Sequence, residues 1–365
     1  MPPVPLAPGP QPSFSNLPPG VNAPFPAAPP SSSQRGRPAP PPVTGPAQPT
    51  QRINGVDYVD AATFFARYGL SGAWSVAGRR MAFKGGGHRL EIEAGEREMT
   101  LDGLLLDLGD PVVARAGALH VSVIDAGHLL GPILAPGGIA AAPPPSLRTI
   151  VLDPGHGGTD SGAENKALGI NEKTFTLDVA KRLQLLLEAL GYRVVLTRTG
   201  DTRLAPKPEA DLPLRVELAN RARADLFISI HFNSVASDTK TSGTEIYTFA
   251  PQFQRSVSSW GAGQGDDAER TASPVNRYDP WSAVAAHALH STLLAKLATS
   301  DRGQKIKHLG VLRGLNCPGV LVESAFLSND SEARKVATPA FRQKIAEGIA
   351  DGVVAYAAQL AAAKK

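Results

Sequence analysis

The chain has 365 residues, is 42% hydrophobic and 19% charged, and carries a formal net charge of +4, values of an ordinary globular protein long enough for two domains. That mild basicity comes without a Lys/Arg-rich run or interleaved aromatics, so it does not mark a nucleic-acid groove and would suit an anionic polymer such as a cell wall equally. The single cysteine, Cys317, excludes an internal disulfide and a cysteine-based zinc site, and no apolar run reaches the roughly 18 residues of a membrane-crossing helix.

Residues 1–50 hold 18 of the 33 prolines and only two charged residues, Arg35 and Arg37. No hydrophobic period survives that proline density, so this segment reads as a disordered or polyproline-like arm, a spacer by default. It has no basic n-region and no apolar h-region, so it does not read as a signal peptide.

Residues 53–134 read as a small α+β module. "INGVDYVDAATFFARYGL" suggests a short strand and an amphipathic helix. "RRMAFKGGGHRLEIEAG" suggests a hairpin turning at Gly85-Gly86-Gly87, with Leu90, Ile92 and Ala94 alternating with Glu91 and Glu93. "INGVDYV", "LDG" and "HVSVIDAGHLLGPIL" resemble the stalk-like N-terminal domain of copper amine oxidases and of many bacterial wall enzymes. His88, His120 and His128 lie here and read as surface or strand residues, not ligands. "APGGIAAAPPPS" begins a linker over 135–147.

From 148 to 361 strands and helices alternate. Strands are expected at 149–153 and in "YRVVLTR", "DLFISIHFNS", "GTEIYTF" and "GVLVES". Helices are expected in "NEKTFTLDVAKRLQLLLEALG", "LPLRVELANRARA" with Pro213 near its first turn, "WSAVAAHALHSTLLAKLA" and "PAFRQKIAEGIADGVVAYAAQL". Strands apolar throughout and separated by helices predict an α/β domain, an open mostly parallel sheet with helices on both faces, whose chemistry lies outside the strand ends.

Four groups occupy such ends. His156 follows the first strand inside "DPGHGG", Glu172 opens the first long helix, and His231 closes "LFISIH". Two imidazoles and a carboxylate are the ligand set of a catalytic zinc with one open position, and their donor atoms should then lie within about 4 Å of one another. Glu323 ends the last buried strand, where a carboxylate can serve as general base toward a metal-bound water. Each has a plainer reading: a turn residue, a helix N-terminal carboxylate, a strand cap, and a partner for Arg313 or Lys307. Glu164 competes with Glu172 as ligand. Asn233 suits substrate contact or a strand-end turn. Arg198 and Asp201 suit pinning of the loop. His287 and His290, three apart on one helix face, lack a third ligand and read as surface residues.

Taken together, "IVLDPGHGGTDSGA", "NEK", "VVLTRTGD", "LRVELANRARADLFISIHFNS", "SGTEIYTF" and "PGVLVESAFLSN" resemble the bacterial zinc-dependent N-acetylmuramoyl-L-alanine amidases of the cell-separation and sporulation type. The resemblance covers about 149–360. It implies zinc on His156, Glu172 and His231, catalysis by Glu323, peptidoglycan as substrate, a periplasmic or envelope location, and an activating envelope protein of unknown identity as a possible partner. A different amide hydrolase, such as a zinc carboxypeptidase or deacylase, is the competing enzyme. A wall-binding protein that has lost its zinc is the competing non-enzyme. The segment 250–281 departs from the family pattern. Some relatives place there a helix that plugs the zinc; this Gly/Ser/Pro-rich stretch is expected to form a loop or lid.

Overall fold

The computed structural model describes residues 49–139, 147–236, 238–257 and 267–364. The proline-rich arm up to residue 48 and linker residues 140–146 lie outside the described residues. Among the described residues nine strands precede the linker: β1 (Thr50–Ile53), β2 (Val56–Asp60), β3 (Leu70–Val76), β4 (Arg80–Gly85), β5 (His88–Glu93), β6 (Glu98–Leu101), β7 (Leu104–Asp107), β8 (Val113–Arg115) and β9 (Ala118–Ser122). After it come β10 (Thr149–Pro154), the short pair β11 (Glu164–Asn165) and β12 (Ile170–Asn171), β13 (Arg193–Leu196), β14 (Leu226–Asn233), β15 (Thr244–Phe249), β16 (Asp301–Lys307) and β17 (Gly319–Phe326).

The sheet has eleven strands in the order β13-β10-β14-β17-β15-β16-β7-β6-β5-β4-β3. Strands β13, β10, β14 and β17 run parallel, β15 enters antiparallel to β17, and β16 runs parallel to β15. Helices cover both faces, and strand alternation shows how. Ile150 and Leu152 of β10 join the large core under helices Glu172–Ala189, Asp279–Leu297 and Pro339–Ala362, whereas Val151 between them joins a second core with Val216 and Leu312. With both faces apolar, the strand reads as an unbroken hydrophobic run.

Some elements differ from the sequence reading; the short helix Asp330–Ala337, for one, was not expected. The segment "DRGQKIK" forms β16, although its polar residues carry no strand pattern. The helix expected to begin near Pro213 begins at Pro208, which leaves Pro213 inside it. The earlier start is anchored by Asp211, whose Oδ1 accepts the Leu204 amide at 2.8 Å.

The module before the linker shares this sheet. Strand β7 lies parallel to β16 with Leu106 opposite Gln304, and Asp301 accepts the Leu105 amide at 2.8 Å. Ala283, from the helix Asp279–Leu297, is buried in the module's own core. Gln254 donates to Asp125 of the module at 2.9 Å, and His128 meets Asp279 at 3.2 Å. Removing residues 1–139 would strip β16 of its neighbour and open a sheet edge and an apolar surface together. That truncation is expected to aggregate or melt well below the full chain in a thermal scan, whereas removing residues 1–48 is expected to leave melting unchanged.

The segment 250–281 was expected to form a loop or lid. Its described parts form a loop that docks on itself, with the Phe253 amide on the Glu269 carbonyl at 2.9 Å and Gln252 on the Arg270 carbonyl at 2.7 Å. It leaves the sheet after Phe249, at the end of β15 away from Glu245, the residue paired with Glu323.

Candidate metal centre

The site begins with the turn after β10. His156 takes a left-handed backbone conformation, φ 63°, rare for a residue with a side chain. Bare backbone is needed next to it for a steric reason: a Cβ on Gly155 would lie 2.2 Å from the His231 ring. Gly162 is required in the same way, because a Cβ there would lie 2.5 Å from the Glu172 carboxylate, and its φ is +67°.

Three elements bring the expected ligands together. His156 comes from the turn, Glu172 from the first residue of the helix Glu172–Ala189, and His231 from the end of β14. One ligand atom from each lies within 4.8 Å of the others, slightly wider than the spacing expected from the sequence. The Glu172 carboxylate bridges the two rings: Oε2 is 3.0 Å from His156 Nε2 and Oε1 is 2.9 Å from His231 Nδ1. The amides of Ala163 and Phe232 also donate to it, at 2.8 and 2.9 Å. Burial pushes the Glu172 carboxyl up, but hydrogen bonds from His156 and His231 and their charge outweigh it and hold it well below the usual carboxylate range. The donors thus converge, are mostly buried, and include one anionic oxygen, as a Zn²⁺ site requires.

The other nitrogen of His156, Nδ1, faces Asp160 at 3.1 Å, and Asp160 also accepts the Gly162 amide at 3.1 Å. A carboxylate behind a ligating imidazole fixes its tautomer and ring orientation. The sequence reading passed over Asp160; its position four residues after a histidine in a glycine-rich turn was the available signal.

Glu323 sits opposite His231 on one side and Glu245 on the other in the strand register. Its Oε2 is buried and has no hydrogen-bond partner among the described residues. Burial, then the Glu172 and Glu245 carboxylates, push its carboxyl well above the usual range. Arg313, one of the partners considered for it, instead pairs with Glu269. Glu245 is itself buried but satisfied, by Lys305 at 2.7 Å, Tyr247 at 2.7 Å, Arg302 and Asn233. Asn233 is spent on Glu245 and on the Ser234 amide, which is the strand-end role. Glu164 is exposed on β11 and stands outside the ligand cluster. Arg198 and Asp201 do hold the turn, as described below.

The remaining histidines belong to other structures. His88 pairs with Asp102 at 2.7 Å, and His120 is a buried residue of β9. His290, expected at the surface, is 1% exposed and bonds Asp301 at 2.6 Å, because its helix is covered by the module as well as by the sheet. His287 is partly buried beside it, and burial followed by the charge of His290 pushes its pKa down to about 4 from 6.5. A base whose folded-state pKa is depressed is charged first in the unfolded chain. Its contribution to stability is complete above pH 6.5 and is lost as pH falls toward 4. Melting temperature is therefore expected to drop across that window, and His287→Gln is expected to flatten the drop; an unchanged slope in the variant would remove His287 as its source.

A donor set of two imidazoles and a carboxylate, next to a carboxylate without a partner, is of the kind used by metal-dependent hydrolases. The family model for N-acetylmuramoyl-L-alanine amidases matches residues 150–355, and the chain belongs to that family. The germination-specific N-acetylmuramoyl-L-alanine amidase of Bacillus subtilis is 32% identical over 222 residues, covering 58% of this chain and 81% of the relative. The amidase LytC of the same organism is 36% identical, over 57% of this chain and 35% of its own. An uncharacterized cell wall amidase of Bacillus anthracis is likewise matched over 35% of its length, so the chain spans about a third of these two curated relatives. A solved amidase of Clostridium difficile 630 shares 30% identity over 58% of this chain and 97% of its own, at a TM-score of 0.47.

Proposed function

We propose that this chain hydrolyses the amide bond between N-acetylmuramic acid and L-alanine in peptidoglycan, with zinc held by His156, Glu172 and His231 and with Glu323 as the catalytic carboxylate. The observation that carries the reading is the convergence of those three donors within 4.8 Å beside a carboxylate whose buried Oε2 has no partner among the described residues, in a chain of this family. When bound, zinc would polarise the scissile carbonyl and lower the pKa of a water toward ~7.

The chain's own residues supply the rest. Glu172 orients both imidazoles, and Asp160 holds the His156 ring from behind. Glu323 takes a proton from the attacking water and delivers it to the amine nitrogen as the C–N bond breaks, so the carboxylate ends in the state in which it began. No donor among the described residues occupies its Oε2. Peptidoglycan as substrate places the working enzyme in the cell envelope. No described helix is long and apolar enough to cross a membrane.

Mass spectrometry of muropeptides after digestion tests the reading directly. The expected products are a free lactyl carboxylate on the sugar and a peptide with a free L-alanine amine. Cleavage inside the stem peptide would identify a carboxypeptidase, and retention on sacculi without any cleavage would identify a wall-binding protein; either outcome rejects the proposal.

A further inference from the structure

The turn that carries His156 is held by cations that the proposed chemistry does not use. Arg215, 2% exposed, donates to the His156 carbonyl at 2.8 Å and to the Pro154 carbonyl at 3.0 Å. Arg198, 3% exposed, donates to the carbonyls of Pro154 and Gly155, both at 2.9 Å, and to that of Lys173 at 2.7 Å. Lys173, the neighbour of Glu172, donates to the Gly158 carbonyl at 2.7 Å, and its partner Asp201 accepts the Gly158 amide at 2.7 Å. The backbone is thus gripped at Pro154, Gly155, His156 and Gly158, around a residue in the left-handed region.

Fixed cations beneath a metal site would repel the metal unless they were neutralised. Here they are: Arg215 bonds Asp153 at 2.8 Å and Asp211 at 2.7 Å, and Lys173 bonds Asp201 at 2.8 Å. Counting Arg198, three cations face three carboxylates, so the group acts through geometry and not through net charge. Asp153 is further held by Thr197 at 2.5 Å and Ser229 at 2.8 Å, which ties the turn to β14.

We infer that Arg198, Arg215 and Lys173 are positioning residues for the metal: they hold the His156 turn in its ligating conformation before zinc arrives, and so set zinc affinity. This rests on the zinc reading given above. Lysine cannot replace either arginine, because a guanidinium spans several carbonyls in one plane and an ammonium does not.

The test is zinc affinity of the full chain, measured by competition with a chromophoric chelator, alongside the melting temperature of the zinc-free protein. Arg342→Lys is the control. Arg342 is also a buried arginine on two carbonyls, those of Val336 and Ala337; it pairs with Asp178 and lies over the Phe175 ring, so it supports the body of the helix Glu172–Ala189, but its hydrogen bonds do not go to the His156 turn. Arg198→Lys and Arg215→Lys are expected to weaken zinc binding by about 10–100-fold, and Arg342→Lys by less than about twofold, although all three lower the melting temperature. Wild-type affinity in the two loop variants, or an equal loss in Arg342→Lys, overturns the inference. If the arginine variants do not fold, Lys173→Met releases Gly158 at the more exposed end of the same turn and is judged by the same criterion: a tenfold or greater loss supports the inference and wild-type affinity overturns it. Failure of the wild-type chain to bind zinc would instead defeat the zinc reading itself.

Discussion

Replacing Glu323 by glutamine is expected to slow hydrolysis by about 10²–10⁴-fold with bound zinc unchanged. The substitution keeps the side chain's shape and removes its ability to accept a proton. Its effect on stability separates a catalytic from a structural role. Glu323 is half-buried, with its Oε2 shielded from solvent; that burial and the nearby Glu172 and Glu245 carboxylates raise its pKa, and no cation is paired with it among the described residues. Its charge is therefore a cost to the folded state, and a neutral glutamine is expected to melt at the wild-type temperature or above it. A buried ion pair would behave in the opposite way, since removing one partner strands the other charge and destabilises by several kcal/mol. Turnover, bound zinc and thermal unfolding measured on one preparation decide between the two. Activity lost only in proportion to unfolded protein would reject the catalytic role.

The second large effect is expected at Glu172. Glu172→Ala removes the one anionic donor and also the bridge that orients His156 and His231. Loss of a partner behind a ligand costs about 10–100-fold in metal affinity, and loss of a ligand should exceed that. The variant is expected to be purified with little zinc and to show activity near background, with partial recovery only at high zinc. Asp160→Asn, which disturbs the His156 ring from behind without removing a donor, is expected to fall between wild type and Glu172→Ala. Full zinc content in Glu172→Ala by metal analysis would remove Glu172 from the ligand set and reopen the place of Glu164.

The candidate ligands and most of the elements around them were legible in the sequence by itself. His156, Glu172, His231 and Glu323 stand where an apolar run stops or a helix starts, and polar groups at such boundaries are visible without knowing what faces them. The elements around them were readable for the same reason: the helix Glu172–Ala189 and the strand Leu226–Asn233 satisfy their patterns within a few residues. Tertiary structure decided what depends on distant partners. Strand β16 is polar and forms because β15 and β7 offer ladders on both sides. Its existence joins the module to the catalytic sheet, which no local period could announce. Arg215 looks like a solvated helix residue in "LRVELANRA" and is instead buried between Asp153, Asp211 and the His156 carbonyl, two of them far along the chain. The glycine at 155 is required by a ring on another strand. Periodicity and propensity report what a segment does with its neighbours in sequence; burial, pairing and steric exclusion are set by neighbours in space, and only the folded chain brings those together.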